Sequence, residues 1–115
     1  MSDWQRQIES ELELANTSRE MGNEGKARVC ARRAAGIAIR EYFNRRGVLV
    51  SGASAYDLIN KLAEMPDAST DVKELCSHLS TRVTEDFELP TEIDLLKDSL
   101  QLCLTLLPEW DSSLE

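Results

Sequence analysis

Residues 24–46, EGKARVCARRAAGIAIREYFNRR, form the longest uninterrupted helical pattern in the chain and restrict what it can fold into. At about 100° per residue, Ala27, Cys30, Ala31, Ala34, Ala35, Ala38, Ile39 and Tyr42 fall in one broad apolar band, with Ile37 and Phe43 at its edges. A band this wide has to touch more than one neighbour, and its alanines let those neighbours approach closely. The segment is therefore expected to be the central helix of a small all-helical domain. Lys26, Arg33, Arg40 and Asn44 fall opposite the band, in water. Arg28, Arg32 and Arg46 fall on one border, where their stems can pack and their heads reach acids on a neighbour. Gly36 lies on the outer side and costs about 1 kcal/mol relative to Ala. Two readings stand: a close backbone contact on the outer face, as with another subunit, or a glycine merely tolerated.

The same segment concentrates charge. It holds seven of the 13 basic residues, and against Glu24 and Glu41 its balance is +5, which leaves −13 for the rest of a chain whose net charge is −8. An acidic total argues against a surface that binds nucleic acid or anionic membrane throughout. The arginines are expected to neutralise neighbouring acidic helices, with an anion or RNA site as the alternative.

Helical periodicity recurs on both sides of this segment. Ser2 and Gln5 fit a capping box, and Trp4, Ile8, Leu12 and Ala15, with Leu14 beside them, form a first apolar stripe that Gly22 ends near Met21. Trp4 reads as a packing anchor. Asn23 is placed to cap the central helix and Gly47 to stop it. Residues 47–53, GVLVSGA, read as a packed loop, with a short strand as the alternative. Ser54, with Asp57 three residues on, caps a third helix whose buried side is Tyr56, Leu58, Ile59, Leu62 and Met65, ending at Pro66. Ser69 or Thr70 caps a fourth, with Val72, Leu75, Cys76, Leu79 and Val83 as its stripe and His78 and Arg82 on its flank. TEDFELP (84–90) is an acidic connector from which Phe87 and Leu89 can tuck inward. Thr91 with Asp94 caps a last helix over 92–107. Its stripe is Ile93, Leu96, Leu100, Cys103 and Leu107, with Leu95, Leu102, Leu104 and Leu106 as surplus apolar surface, and Pro108 stops it ahead of a polar tail. With 115 residues and 42% hydrophobic content, the pattern predicts one all-α domain over 1–115. Its architecture is an up-and-down four-helix bundle with one extra short helix.

Chemistry is sparse. GNEG (22–25) precedes a helix but lacks the Lys-Ser/Thr ending and the strand of a phosphate loop. One His and three scattered cysteines, Cys30, Cys76 and Cys103, give no metal-ligand spacing, so neither a metal nor another cofactor is expected. The thiols read as buried and reduced, which with a charged N-terminus and no apolar run of about 20 residues points to a cytoplasmic protein without a membrane span. The acidic pairs Glu9/Glu13 and Asp94/Asp98 read as solvated helix faces. His78, Arg82 and Lys73 are the candidates for a small polar site, against a partly buried structural role for His78.

With these elements in place, the chain resembles the HEPN superfamily (higher eukaryotes and prokaryotes nucleotide-binding domains). A Trp-led first helix is followed by GKARVCARRAAGIAIREYF (25–43), similar to that family's Ala-rich central helix ending in aromatics before a Gly. AYDLINKL (55–62) resembles its third helix, with Tyr56 where a His is common, and LSTRVTEDFELP (79–90) resembles its last loop. The resemblance implies a four- or five-helix up-and-down bundle and a homodimer. Many members are ribonucleases, often toxins paired with a nucleotidyltransferase antitoxin, that depend on an Arg separated from a His by four to six residues. Ahead of His78 those positions are Asp71, Val72 and Lys73. Lys73 keeps the charge without the planar guanidinium, so the resemblance points to a branch without the motif, whose members act as binding or partner modules.

The function expected is thus a non-enzymatic, homodimeric helical module that binds a partner protein, such as a nucleotidyltransferase, or a nucleotide. The outer edge Arg33, Gly36 and Arg40 would be its binding surface, and the dimer is suggested by Gly36 and by the apolar surplus of 92–107. The alternative is a diverged HEPN ribonuclease or toxin–antitoxin component acting on RNA through His78, Arg82 and Lys73.

Overall fold

The computed structural model describes residues 3–50, 52–81 and 93–108. They form five α-helices: α1 (Asp3–Glu20), α2 (Glu24–Arg45), α3 (Ala55–Ala63), α4 (Thr70–Ser80) and α5 (Leu95–Leu106). No strand occurs among the described residues, and the described part of 47–53 is a loop with Val50 buried and Leu49 in water. Ser2, Arg82, Val83, the 84–90 connector with Phe87 and Leu89, Thr91 and the 109–115 tail lie outside the described residues.

Local chemistry sets the boundaries. Gly22 adopts φ +81°, and after it Asn23 N–H donates to Ser18 O at 2.7 Å while Gly22 N–H donates to Arg19 O at 3.0 Å. This pair of bonds closes α1 in a left-handed turn that a side chain would strain. The Asn23 side chain then accepts from Lys26 N–H at 3.1 Å and starts α2. Three residues therefore reverse the chain, and α1 lies against α2. Ser54 and Asp57 form a reciprocal capping box on α3. Ser69, rather than Thr70, caps α4 through Val72 N–H. Asp94 caps α5, accepting from Leu96 N–H and Lys97 N–H, so this helix starts at Leu95 and not at 92.

α2 packs against α1, α3 and α5, while α4 packs against α3 and α5. Helices α2, α3, α4 and α5 thus contact one another in a closed ring, and α1 lies outside it on α2 and the edge of α5. The main core fills the ring with Ala31, Ala34, Ala35, Ala38, Ile39 and Phe43 of α2, Leu58, Ile59 and Leu62 of α3, Val72, Cys76 and Leu79 of α4, and Leu95, Leu102 and Cys103 of α5. Each fully buried Leu, Ile or Phe here is worth about 1.5–3 kcal/mol relative to exposure. The α2/α5 seam is built from small residues on both sides. Ser99, fully buried, donates its hydroxyl to Ala31 O at 2.7 Å, and one turn on Cys103 Sγ lies 3.8 Å from Ala34 O.

Four expectations need correction. Phe43 is fully buried and Tyr42 half-buried, so the aromatic at the edge of the α2 band is Tyr42. The buried face of α5 is Leu95, Ser99, Leu102, Cys103 and Leu106, while Ile93, Leu96, Leu100 and Leu104 are only partly covered. The helix is rotated because the Ala-lined side of α2 accepts Ser99 and Cys103 where a leucine does not fit. Gly36 is buried, not outward: a Cβ there would lie 3.2 Å from Ala55 Cβ and 3.3 Å from Ala55 Cα. The close contact it permits is with the first turn of α3 in the same chain. Leu14 is exposed and takes no part in the α1 stripe.

Candidate functional site

The cations of α2 divide by what they meet. Arg32 is buried and donates Nε–H to Leu79 O and an Nη2 proton to Thr81 O, both at 2.8 Å, with its guanidinium 5.0 Å from the Tyr56 ring centroid. These two partners are carbonyls at the end of α4, which a reading that looked to neighbouring acids did not include. An arginine there satisfies oxygens that a helix C-terminus leaves open. Arg46 does reach an acid, Asp67, at 2.6 Å, and holds that carboxyl below its ordinary range. Arg45 pairs with Glu41 on its own helix at 2.8 Å and lies over Trp4, which packs against the core as the anchor expected.

Arg28 is half-buried, its Nε without a hydrogen-bond partner among the described residues, and Lys26, Arg33 and Arg40 remain. They recur every seven residues, so they form one row along the exposed face of α2, with Val29 and Ile37 between them. Arg40 donates to Ala53 O at 3.1 Å. Lys26 and Arg33 have no side-chain hydrogen bond or ion pair among the described residues. Arg33, Gly36, Ile37 and Arg40 line a depression of about 220 Å³ between α2 and α3, completed by Ala55, Leu58 and Glu11. A second depression, lined by Arg6, Gln7, Ser10, Glu11 and Ile37, shares two of those residues. The two form one trough that crosses α2 at Ile37, with Arg6, Arg33 and Arg40 as its cations. The structure thus gathers Arg33, Gly36 and Arg40 at one depression, with Gly36 buried under the first turn of α3 rather than on the outer edge. Glu11 is the acidic member of the wall, and its Oε2 is buried without a hydrogen-bond partner among the described residues. Burial raises the Cys30 thiol nearby. Glu11 adds to that rise, while Arg33 and Lys26 oppose it.

Of the other candidates, the described His78 and Lys73 do not share a cavity. His78 Nδ1 lies 3.1 Å from Asp98 Oδ2 of α5, with the histidine side chain 32% and the aspartate 16% exposed. Burial raises the Asp98 carboxyl despite the opposing pull of His78. The pair sits in a cavity of about 380 Å³ whose other walls are Ser69, Asp71, Glu74, Leu75, Gln101 and Thr105. Lys73 is not among the walls, because five residues carry it about 140° round α4 from His78. Arg82 lies outside the described residues. An imidazole oriented by a carboxylate is the core of a general base, but Asp71 and Glu74 make the surroundings repel a phosphate. Asp98 had no sequence signal as the partner of His78, since its twenty-residue separation crosses two helices.

Arg19 went unnoticed in the sequence. It makes bidentate pairs with Glu24 (2.8 and 3.0 Å) and Asp94 (3.0 and 3.2 Å), tying the α1/α2 turn to the cap of α5. Burial pushes the Asp94 carboxyl up, but Arg19 and the amides of Lys97 and Leu96 together outweigh it and hold it below the ordinary range. Beside this tie lies a depression of about 240 Å³ between α1 and α5, floored by Leu12, Leu96 and Leu100.

The three thiols are free and buried. Burial lifts Cys76 to about 11 and Cys103 to about 12, which removes both as nucleophiles near neutral pH. Among the described residues no group of His, Cys, Asp or Glu is arranged to hold a metal, and no helix is long and apolar enough to cross a membrane. Comparison with protein-family models, with curated proteins and with solved structures finds no match to this chain.

Proposed function

We propose that this protein is a non-enzymatic helical interaction module, an up-and-down bundle resembling HEPN proteins, that docks an acidic protein surface on the outward face of α2. The observation that carries this reading is the row Lys26, Arg33 and Arg40 with Val29 and Ile37 between its members, of which Arg33, Ile37 and Arg40 line a trough, in a chain that is otherwise acidic. Cations at the rim steer and orient an acidic partner, while exposed Val29 and half-buried Ile37 supply apolar area to bury. A protein partner is favoured over a nucleotide or RNA by the state of the nearest helix end. The N-terminus of α3, the nearest helix dipole, is already occupied by the Asp57 carboxylate of its capping box. The test is a pull-down with purified protein and with its Arg33→Glu/Arg40→Glu variant. A protein captured by the wild type and lost by the variant supports the reading; identification of a nucleotidyltransferase would place the module in a toxin–antitoxin pair. Equal capture by both proteins refutes the α2 face.

One observation favours the alternative of a diverged RNA-cleaving protein: Asp98 supplies His78 with the orienting acid that general-base chemistry needs. Incubation of purified protein with RNA decides it. Cleavage abolished by His78→Ala establishes the ribonuclease, and intact RNA removes it.

A further inference from the structure

Helices α2, α3, α4 and α5 contact in ring order, so the α2/α3 edge and the α4/α5 edge lie on opposite sides of the molecule. The first edge carries the trough with Arg33 and Arg40 on its rim and Ile37 on its floor. The second carries the cavity with Asp71, Glu74 and Asp98 on its walls and Leu75 among them. Asp71, Glu74 and Arg33 are all exposed, and none has a side-chain ion pair among the described residues. The chain therefore presents a cationic groove with an apolar centre on one side and an anionic groove with an apolar wall on the other. Resting on the reading above, that the α2 face docks an acidic protein surface, we propose that this surface is the α4/α5 edge of a second copy of the chain.

Such a contact joins two different patches and is heterologous. Each copy that uses its trough still offers its anionic edge, so association proceeds head to tail and grows with concentration rather than stopping at a two-fold dimer. Arg33 and Arg40 face Asp71 and Glu74 across the contact, with Ile37 against Leu75. The net charge of −8 opposes assembly as a whole. At about 0.15 M salt, where charges more than about 8 Å apart are screened, the overall repulsion weakens while facing pairs persist.

The experiment is sedimentation velocity at that salt over a wide range of protein concentration. It uses three proteins: wild type, Arg33→Glu/Arg40→Glu, and Asp71→Lys/Glu74→Lys. All four positions are exposed, and far-UV circular dichroism checks that each variant is folded. The wild type is expected to sediment faster as concentration rises. The first variant then carries only anionic edges and the second only cationic ones, so each alone stays monomeric and an equimolar mixture associates. Association of either variant alone overturns the proposal, because a contact elsewhere would then be responsible. A wild type that remains monomeric at every concentration also overturns it, and leaves the α2 face to a different acidic protein, which the pull-down detects independently.

Discussion

Replacing Gly36 by Ala sets two effects of known sign against each other. In an open helix interior the change stabilises by about 1 kcal/mol, because glycine has more backbone freedom to lose. Here the new Cβ would stand 3.2 Å from Ala55 Cβ and 3.3 Å from Ala55 Cα, inside the 3.5–4.0 Å of an ordinary carbon contact. Relief requires the first turn of α3 to withdraw by a few tenths of an ångström. That turn is held by its capping box and by the buried Leu58 and Ile59 one turn further on, and its obstructing atoms are backbone and Cβ, which have no rotamer to change. Overpacking of this kind costs about 1–3 kcal/mol. The balance is a net loss of about 1 kcal/mol, or about 4 °C in melting temperature for a chain of this size. Urea and thermal unfolding followed at 222 nm measure it. Combining the change with Ala55→Gly removes the Cβ part of the clash and leaves the approach to the residue 55 Cα, so the two substitutions should couple favourably by about 0.5–1 kcal/mol. A Gly36→Ala protein that melts higher than the wild type would show that α3 does not press on α2 at this point, and the reasoning would fail.

Three further outcomes are expected. Arg32→Met keeps the stem but leaves Leu79 O and Thr81 O without their charged donor, and should destabilise by about 2–4 kcal/mol in urea unfolding; a loss below about 1 kcal/mol would mean the carbonyls find other partners. The Cys76 and Cys103 thiols, lifted to about 11 and about 12, are ionised at pH 7 to about one part in ten thousand or less. They should resist a disulfide reagent in native protein and react at once in denaturant, and fast native labelling would contradict their burial. The Asp94 carboxyl is held below its ordinary value, so its contribution is fully present above the unfolded Asp value of about 3.9 and is lost as pH falls through its lower folded value. Arg19→Gln should therefore flatten the acid side of the stability–pH curve, and an unchanged slope would show that Arg19 does not hold Asp94.

Much of the fold was legible because it rests on patterns local to one helix. Asn23, Ser54 and Asp57 announced their caps, and the Ala band of α2 announced a helix with several neighbours. What was not legible depends on pairs of helices. The nine apolar residues of 93–107 admit more than one buried face, and only the Ala-lined side of α2 decides that Ser99 and Cys103 point inward. Phe43 and Tyr42 are adjacent, and small drifts from 100° per residue over 22 residues exchange centre and edge. The carbonyl partners of Arg32 were not foreseen, because carboxylates are visible in a sequence and the open carbonyls at a helix end are not. At the candidate site, the heptad spacing of Lys26, Arg33 and Arg40 could be read directly. The pairing of His78 with Asp98, and the absence of Lys73 from their cavity, depend on how α4 rotates against α5. Gly36 was noticed as an anomaly, but its partner, Ala55, lies across a loop whose path no periodicity describes.

The small-residue seam between α2 and α5 has a consequence for how this protein should be mutated. Five of the ten buried positions of α2 are already alanine, and alanine has no side-chain rotamers to lose on burial. An alanine scan would therefore pass over the structural centre without a signal and report only on its periphery. Enlarging substitutions, such as Ala31→Val, Ala34→Leu or Ser99→Val, are the informative probes, because they push the two helices apart. A saturation library should show an inverted landscape, in which the smallest side chains of the central helix are the least replaceable and the large charged ones in its outward row the most.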